Sequence, residues 1–347
     1  MGETAIVAVM SRAARLAWLF AFAFGASAAE AAELNLLCSV PVAWCDSIAA
    51  AFEKDTGTKV AVTQKAAAEV IGLLTAQKAG PRFDVWYGGA GDLHIQAGEL
   101  GFTDEFHAAE PQALRDWARD FAAQSGHRSV ALYQRPIGLI VNTRRLAQKK
   151  LDEPRCWADL AKPEYDDQLQ MGHPLQSATS RATIIALVNL FGEARAFEIL
   201  KRIHANVAGY SRRATDAGRA TARGDATMAV VYFYEGANEV AGGFPVKLIA
   251  PCEGLPYDVL AASLMKDARN ADTARKFLAW SLTPAALDLQ YAQNFWQMPA
   301  NRNSRLPKNV WNTDDAKVVP NDYARYPLAD RRRLYRAWDQ EVGTLPR

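Results

Sequence analysis

The chain has 347 residues, half of them hydrophobic, and its 40 Lys and Arg against 38 Asp and Glu leave a formal net charge of +2. That length and balance give a globular protein of about two domains with room for large cores. They exclude a strongly basic nucleic-acid binder: the densest cluster, Arg331 to Arg333, shares an amphipathic pattern with Leu334, Tyr335 and Trp338 and reads as a solvated helix face.

The first residues read as a secretory signal. Arg12 and Arg15 precede an apolar run from Leu16 to Phe24, and the small-residue sites Ala26 Ser27 Ala28 and Ala29 Glu30 Ala31 follow it. The run is too short to anchor the chain in a bilayer. Met10 gives a more conventional basic start than Met1, and Leu36 and Leu37 before Cys38 argue against a lipoprotein. The expectation is an exported protein with a signal peptide at 1–31.

From Leu34 the pattern alternates. Leu34 to Leu37 is an apolar strand; a helix with Ile48 and Phe52 one turn apart ends at Gly57; Lys59 to Thr63 is a second strand; Val70, Ile71, Leu73 and Leu74 mark a second helix. The third strand, Phe83 to Tyr87, runs into Gly88 Gly89 Ala90 Gly91 Asp92, where a helix starts. Glycine-freed amides at the carboxyl end of a strand, beside a helix N-terminus, suit a polar or anionic ligand, although an ordinary tight connection has the same signature. No third glycine follows Gly91, so the dinucleotide fingerprint fails.

The middle of the chain continues in the same style. Pro111 to Gln124 reads as a helix, and Ile137 to Val141 is an apolar run of the kind that crosses between lobes. Trp157 to Leu160 and Leu169 to Met171 are short elements. Ser177, Thr179 and Ser180 crowd the first turn of the next helix, where capping is their ordinary role. Arg181 in that turn opposes the helix macrodipole, and an anion held between it and the amides would explain it. Helices follow at Glu193 to His204 and after Arg212 and Arg213, two residues that read as solvent charges.

Ala226 to Val231 is a buried strand running into Tyr232 Phe233 Tyr234 Glu235, and alternation puts Tyr232 and Tyr234 on one side. Val246 to Ala250 is a further strand, and Asp258 to Met265, with Tyr257 before it, is a second crossing segment. Ala271 to Trp280 and Pro284 to Gln293 read as helices. With no internal repeat and no low-complexity linker, the second lobe looks inserted into the first: residues 32–135 and 266–347 form lobe 1, and 136–265 lobe 2.

Four cysteines in an exported chain suggest two disulfides. Cys38 and Cys45 enclose a short loop; Cys156 and Cys252 are left by elimination, with buried free thiols as the alternative. Catalytic motifs are missing: His94, His107, His127, His173 and His204 are scattered, and there is no HExxH pair, nucleophile elbow, phosphate loop or zinc-like cysteine spacing. The sequence thus offers no catalytic constellation and calls for no cofactor.

Several separated motifs, Cys38 Ser39 Val40 Pro41 through Trp44 Cys45, Asp84 to Asp92, Cys156 Trp157 Ala158 Asp159 Leu160, and Ala250 Pro251 Cys252 Glu253 Gly254, resemble periplasmic solute-binding proteins of ABC importers. The resemblance is to the ferric-ion-binding-like group that also contains sugar-phosphate and phosphonate binders, and it covers the chain from about Leu34 onward. It implies a type II α/β fold: two lobes, each a doubly wound sheet flanked by helices, joined by two crossing strands and closing over a ligand. It also implies an inner-membrane ABC permease as partner and a monomer in solution.

Departures bear on the ligand. Phe233 separates Tyr232 from Tyr234 where ferric binders have a side-by-side tyrosine pair, and Tyr234 Glu235 stand where the sugar-phosphate branch has His and Asp. Lys65 Ala66 Ala67 Ala68 replaces a Ser Ser Gly run, and Arg181 stands where an aromatic is usual. The leading expectation is a small phosphorylated or otherwise anionic organic solute, with Ser39, Gly88, Gly89, Ser177, Thr179 and Arg181 at the anion and Tyr232, Tyr234, Glu235 and Tyr257 at the organic part. The alternatives are ferric iron on Tyr232, Tyr234 or Tyr257 with Glu235 and His173, and a sensory adaptor that docks on a membrane histidine kinase.

Overall fold

Strand and helix patterns that alternate along a chain fold as parallel strands with helices on both faces. The computed structural model describes residues 33–76, 82–314, 316–319, 322 and 325–347; the expected signal segment at 1–31 lies outside the described residues. The first half-lobe runs β1 (Glu33–Cys38), α1 (Val42–Thr56), β2 (Lys59–Gln64), α2 (Ala67–Ala76), β3 (Val85–Ala90) and α3 (Gly91–Glu99). Gly57 ends α1 in the left-handed conformation at φ 72°. Short β4 (Thr103–Asp104) and α4 (Asp116–Gln124) lead to the long strand β5 (Val130–Asn142). The expected helix from Pro111 is split, with a 3-10 turn over Pro111–Ala113 ahead of α4.

The chain then builds α5 (Thr143–Lys149), β6 (Leu169–Gly172), α6 (Ala178–Phe191), α7 (Glu193–Ala205), β7 (Val207–Ser211), α8 (Ala214–Arg223), β8 (Met228–Tyr232), α9 (Phe233–Ala241) and β9 (Val246–Ile249). Strand β10 (Leu255–Met265) returns, followed by α10 (Ala271–Ser281), α11 (Pro284–Asp288), β11 (Met298–Pro299), β12 (Val318–Val319) and α12 (Leu328–Glu341).

The strands form one continuous path, β2-β1-β3-β10-β5-β8-β6-β7. Its middle is where β5 and β10 join the two halves. β5 pairs antiparallel with β10 from Tyr257↔Pro136 to Ala262↔Val130, and beyond Pro136 the same strand pairs with β8 and β9, from Ile137↔Tyr232 and Leu139↔Ile249 onward. One strand therefore serves two sheets, and its near-continuous burial follows from being covered on both faces.

Two apolar cores flank this seam. One gathers Leu36, Trp44, Phe52, Tyr133, Val259 and Phe277; the other gathers Ile137, Leu139, Trp157, Ile184, Leu200 and Val230. Helix α12 departs from the expected boundary that put 266–347 with lobe 1: Leu334, Trp338 and Val342 belong to the second core. The reason is aromatic packing, since the Trp338 ring meets His173, His204 and Tyr210 edge-on at 5.5, 6.3 and 5.7 Å. The two disulfides are Cys38–Cys45, which ties the end of β1 to α1, and Cys156–Cys252, which ties the loop before β6 to the turn between β9 and β10.

Candidate functional site

In an open α/β sheet, ligands bind outside the carboxyl ends of the strands, where turns into helices expose backbone amides. Here those turns converge from both lobes on a cleft of about 1110 Å³. Lobe 1 contributes Ser39 to Pro41 before α1, Ala66 to Ala68 at the start of α2, and Gly89 and Ala90 before α3; lobe 2 contributes Gln176 and Ala178 at α6, Arg212 and Arg213 at α8, and Tyr232, Tyr234 and Glu235 at α9. At α1, α3, α8 and α9 no side chain of the N-cap residue bonds the first-turn amides. First-turn amides lack intrahelical partners and carry the helix's partial positive charge, although Trp44 in α1 and Asp216 in α8 donate to the carbonyls of Pro41 and Arg213 at 2.9 and 3.1 Å.

The glycine turn is held in place from behind. Gly88 and Gly89 have φ of 85° and 99°, and a Cβ on them would lie 2.6 Å from Val40 Cγ1 and 2.9 Å from Ala67 Cβ. Glycine is required on both counts. His94 donates from Nε2 to the Gly88 carbonyl at 2.9 Å, accepts from Ser263 Oγ at Nδ1 over 2.7 Å, and stacks on Trp86 at 3.8 Å. Burial holds this imidazole well below its ordinary value, so it is the neutral tautomer that anchors the turn. Trp86 in turn donates its indole N–H to Ser39 Oγ at 2.9 Å.

Of the residues expected at the ligand, Ser39, Gly89, Arg181, Tyr232, Tyr234 and Glu235 lie together on the cleft wall. Four others do not. Gly88 sits one residue behind the wall; Ser177 caps α6, accepting from the Ser180 N–H at 3.5 Å; Thr179 is buried behind Tyr232; and Tyr257 is packed in the first core. His173 lies under α12, away from the cleft. Strand β8 ends at Tyr232 and Tyr234 begins a helix, so strand alternation does not place them; their rings nevertheless stack, 5.7 Å apart at 18°.

Arg181 is bound to a carboxylate of the chain itself, its Nε donating to Asp92 Oδ2 at 3.4 Å across the seam. Asp92 supplies the negative charge that a basic residue in a first helical turn calls for. A second buried pair escaped the sequence reading: Arg135 on β5 is bonded to Asp258 on β10, which also accepts the Tyr232 hydroxyl at 2.9 Å. Burial raises the Asp258 carboxyl and Arg135 opposes the rise. The signal for this pair was a single charged residue in each of two long, mostly apolar stretches. Arg212 and Arg213, read as solvent charges, stand on the cleft wall with Arg219. Trp44, Phe295 and Gln297 line it as well.

Both cleft phenols are pushed above their ordinary range by burial, and burial also raises the Glu235 carboxyl, which accepts the Thr215 hydroxyl. Among the described residues, the grouping with metal-ligand spacing is Cys156, Cys252 and Glu253, and its two sulfurs are joined in a disulfide. No helix among the described residues is long and apolar enough to cross a membrane.

Comparison with known proteins agrees with this architecture. A family model described as bacterial extracellular solute-binding protein matches residues 37–290. An uncharacterised protein of Haemophilus influenzae is 30% identical over 323 residues, 92% of this chain and 93% of that one. The periplasmic binding protein AfuA of Actinobacillus pleuropneumoniae, solved with exogenous fructose-6-phosphate bound, superposes with a TM-score of 0.82 at 28% identity over 90% of this chain and 99% of that one. A ferric binding protein from Campylobacter jejuni superposes with a TM-score of 0.75 at 21% identity over 89% and 99% of the two chains, a likeness of fold.

Proposed function

The chain belongs to the bacterial extracellular solute-binding proteins, non-catalytic members of ABC-type transport with the type II periplasmic-binding-protein fold, and from that premise we propose that its cleft captures a small anionic, phosphorylated organic solute. The observation that carries this reading is the convergence of helix starts without side-chain caps on one cavity whose wall also holds Arg135, Arg181, Arg212, Arg213 and Arg219. Amides at helix N-termini and guanidinium forks are the donors that suit a phosphoryl group. AfuA, which carries fructose-6-phosphate, supports the same ligand class.

Iron is the less favoured cargo. The Tyr232 hydroxyl is spent on Asp258, and the stacked Tyr232 and Tyr234 phenols are pushed up by burial, whereas iron needs phenolates. In this reading contacts from both lobes shift a hinge at β5 and β10 toward closure, with lobe 1 at 32–135 and 266 to about 327, lobe 2 at 136–265, and α12 joined to lobe 2. The closed form is then recognised by an inner-membrane ABC permease. A thermal-shift panel of sugar phosphates, phosphonates, carboxylates and Fe(III) tests the assignment: a ligand at about a hundred times its Kd stabilises by roughly 2.7 kcal/mol. The reading expects the phosphorylated compounds to raise Tm; a response to Fe(III) alone, with a tyrosinate charge-transfer colour, overturns it.

A further inference from the structure

Helix α9, which follows strand β8 of the second lobe, runs along a segment of the first. Contacts follow one another along it. At its first residue the Phe233 ring meets Trp311 edge-on at 4.5 Å; at the next, Tyr234 meets Phe295 at 5.5 Å; one turn later Asn238 reaches Asn294 and Trp296. The segment met by Tyr234 and Asn238 belongs to lobe 1, because β11, which follows Gln297 directly, pairs with β5 at Tyr133 and Gln134, ahead of Pro136.

Asn238 is bonded twice across this line. Its Oδ1 accepts the Trp296 indole N–H at 2.7 Å, and its Nδ2 donates to the Asn294 carbonyl at 3.1 Å. The partners fix which way the amide points, since a flipped amide would set N–H against N–H and oxygen against oxygen. Asn294 presents its carbonyl from the left-handed conformation, φ 57°, that ends the turn Leu289–Gln293.

Ring contacts tolerate sliding, but two hydrogen bonds of opposite polarity on one short side chain form at one separation of the lobes. Opening breaks both together. Asn294 is exposed, and Asn238 and Trp296 are half-buried, so water satisfies each group once the lobes part. The net gain is therefore that of two ordinary neutral hydrogen bonds, enough to bias an equilibrium and too little to freeze it.

We propose that Asn238 is a closure latch: a positioning residue that sets the balance between open and closed forms through Trp296 and Asn294 rather than through the solute. The inference rests on the reading of β5 and β10 as a hinge and is independent of the solute's class. It assigns the closed form a stabilising contact of its own, to which any solute adds its differential affinity.

The width of the mouth tests this in the absence of solute. Val42, beside the cleft-lining Pro41, and Leu175 on the wall of the second lobe are 57% and 48% exposed. Nitroxides on Val42→Cys and Leu175→Cys in the full chain, whose native cysteines are paired, report that width by double electron–electron resonance. The labelled parent should show a short-distance population, and Asn238→Ala should lower its ratio to the longer one about tenfold. Trp296→Phe, which removes one of the two bonds, should lower it about threefold, and the double variant no further than Asn238→Ala alone. Each variant is first checked for native circular dichroism; should Asn238→Ala fail that check, Trp296→Phe carries the test. The latch is overturned if the folded variants keep the parent's distances, or if the two single effects simply multiply in the double variant. The solute panel is read on the unlabelled chain, so an idle latch and a wrong ligand class are told apart.

Discussion

Arg181 of α6 and Asp92 of α3 join the two lobes through a charged hydrogen bond of 3.4 Å, with side chains only 18% and 19% exposed. Each residue sits in the first turn of its helix, where Asp92 complements the dipole and Arg181 opposes it, so the pair balances a charge that neither helix settles alone. Arg181→Ala leaves Asp92 largely buried without its cation and should cost about 2–3 kcal/mol. Adding Asp92→Ala to that variant should recover part of the loss. Urea midpoints of the two single variants and the double variant give the coupling; strict additivity would mean that the contact does not hold the lobes together.

His94 makes stability depend on pH. Its imidazole titrates at about 4 in the fold because burial disfavours the cation, against 6.5 in the open chain. Between these values the unfolded chain binds the extra proton, so the contribution is complete above about pH 6.5 and disappears as pH falls to about 4. The difference corresponds to roughly 3 kcal/mol. His94→Gln, which keeps an N–H for Gly88, should flatten the stability profile across that window in urea titrations at successive pH values; an unchanged slope would mean that His94 is not its source.

Much of the architecture was legible because local chemistry and global fold agree. Strands at Leu34 to Leu37 and Lys59 to Thr63, the Gly57 stop, and the crossing runs Ile137 to Val141 and Asp258 to Met265 all stand where periodicity put them. What was not legible depends on distance. The front half of β5 was hidden by polar Gln134 and Arg135 and by Pro136, which are buried because β10 and β11 cover them. The apolar stripe of α12 announces burial without saying in which core. Asp92 and Arg181 lie 89 positions apart, and no pattern in either helix names the other. Likewise, two arginines before a helix look like solvent charges until the sheet brings their turn to the cleft.

Gly138 in β5 has no room for a side chain: a Cβ there would lie 2.2 Å from Phe233 Cε1 and 2.9 Å from the Ile249 carbonyl. Phe233 separates the two cleft tyrosines, so displacing it disturbs the site as well as the core. Gly138→Ala should cost about 1–3 kcal/mol and weaken solute binding together. Differential scanning calorimetry and titration on the same sample check both; unchanged affinity would uncouple the hinge strand from the tyrosines.

The two disulfides should contribute unequally. Cys38–Cys45 closes a separation of 7 residues and Cys156–Cys252 one of 96, so the longer loop restricts the unfolded chain more. Chain-entropy reasoning gives about 4–5 kcal/mol for the longer and about 2–3 for the shorter. Paired Cys→Ser variants, compared by guanidinium midpoint, should follow that order; the reverse order would show that native packing, not the unfolded chain, sets the contribution.

The central claim is that an anionic solute draws the lobes together about the β5 and β10 hinge. Small-angle X-ray scattering of the chain, alone and saturated with the phosphorylated compound that raises Tm most, measures this directly. The account predicts a smaller radius of gyration in the saturated sample and none of that contraction with the unphosphorylated parent compound. An identical scattering curve with and without bound solute would contradict it.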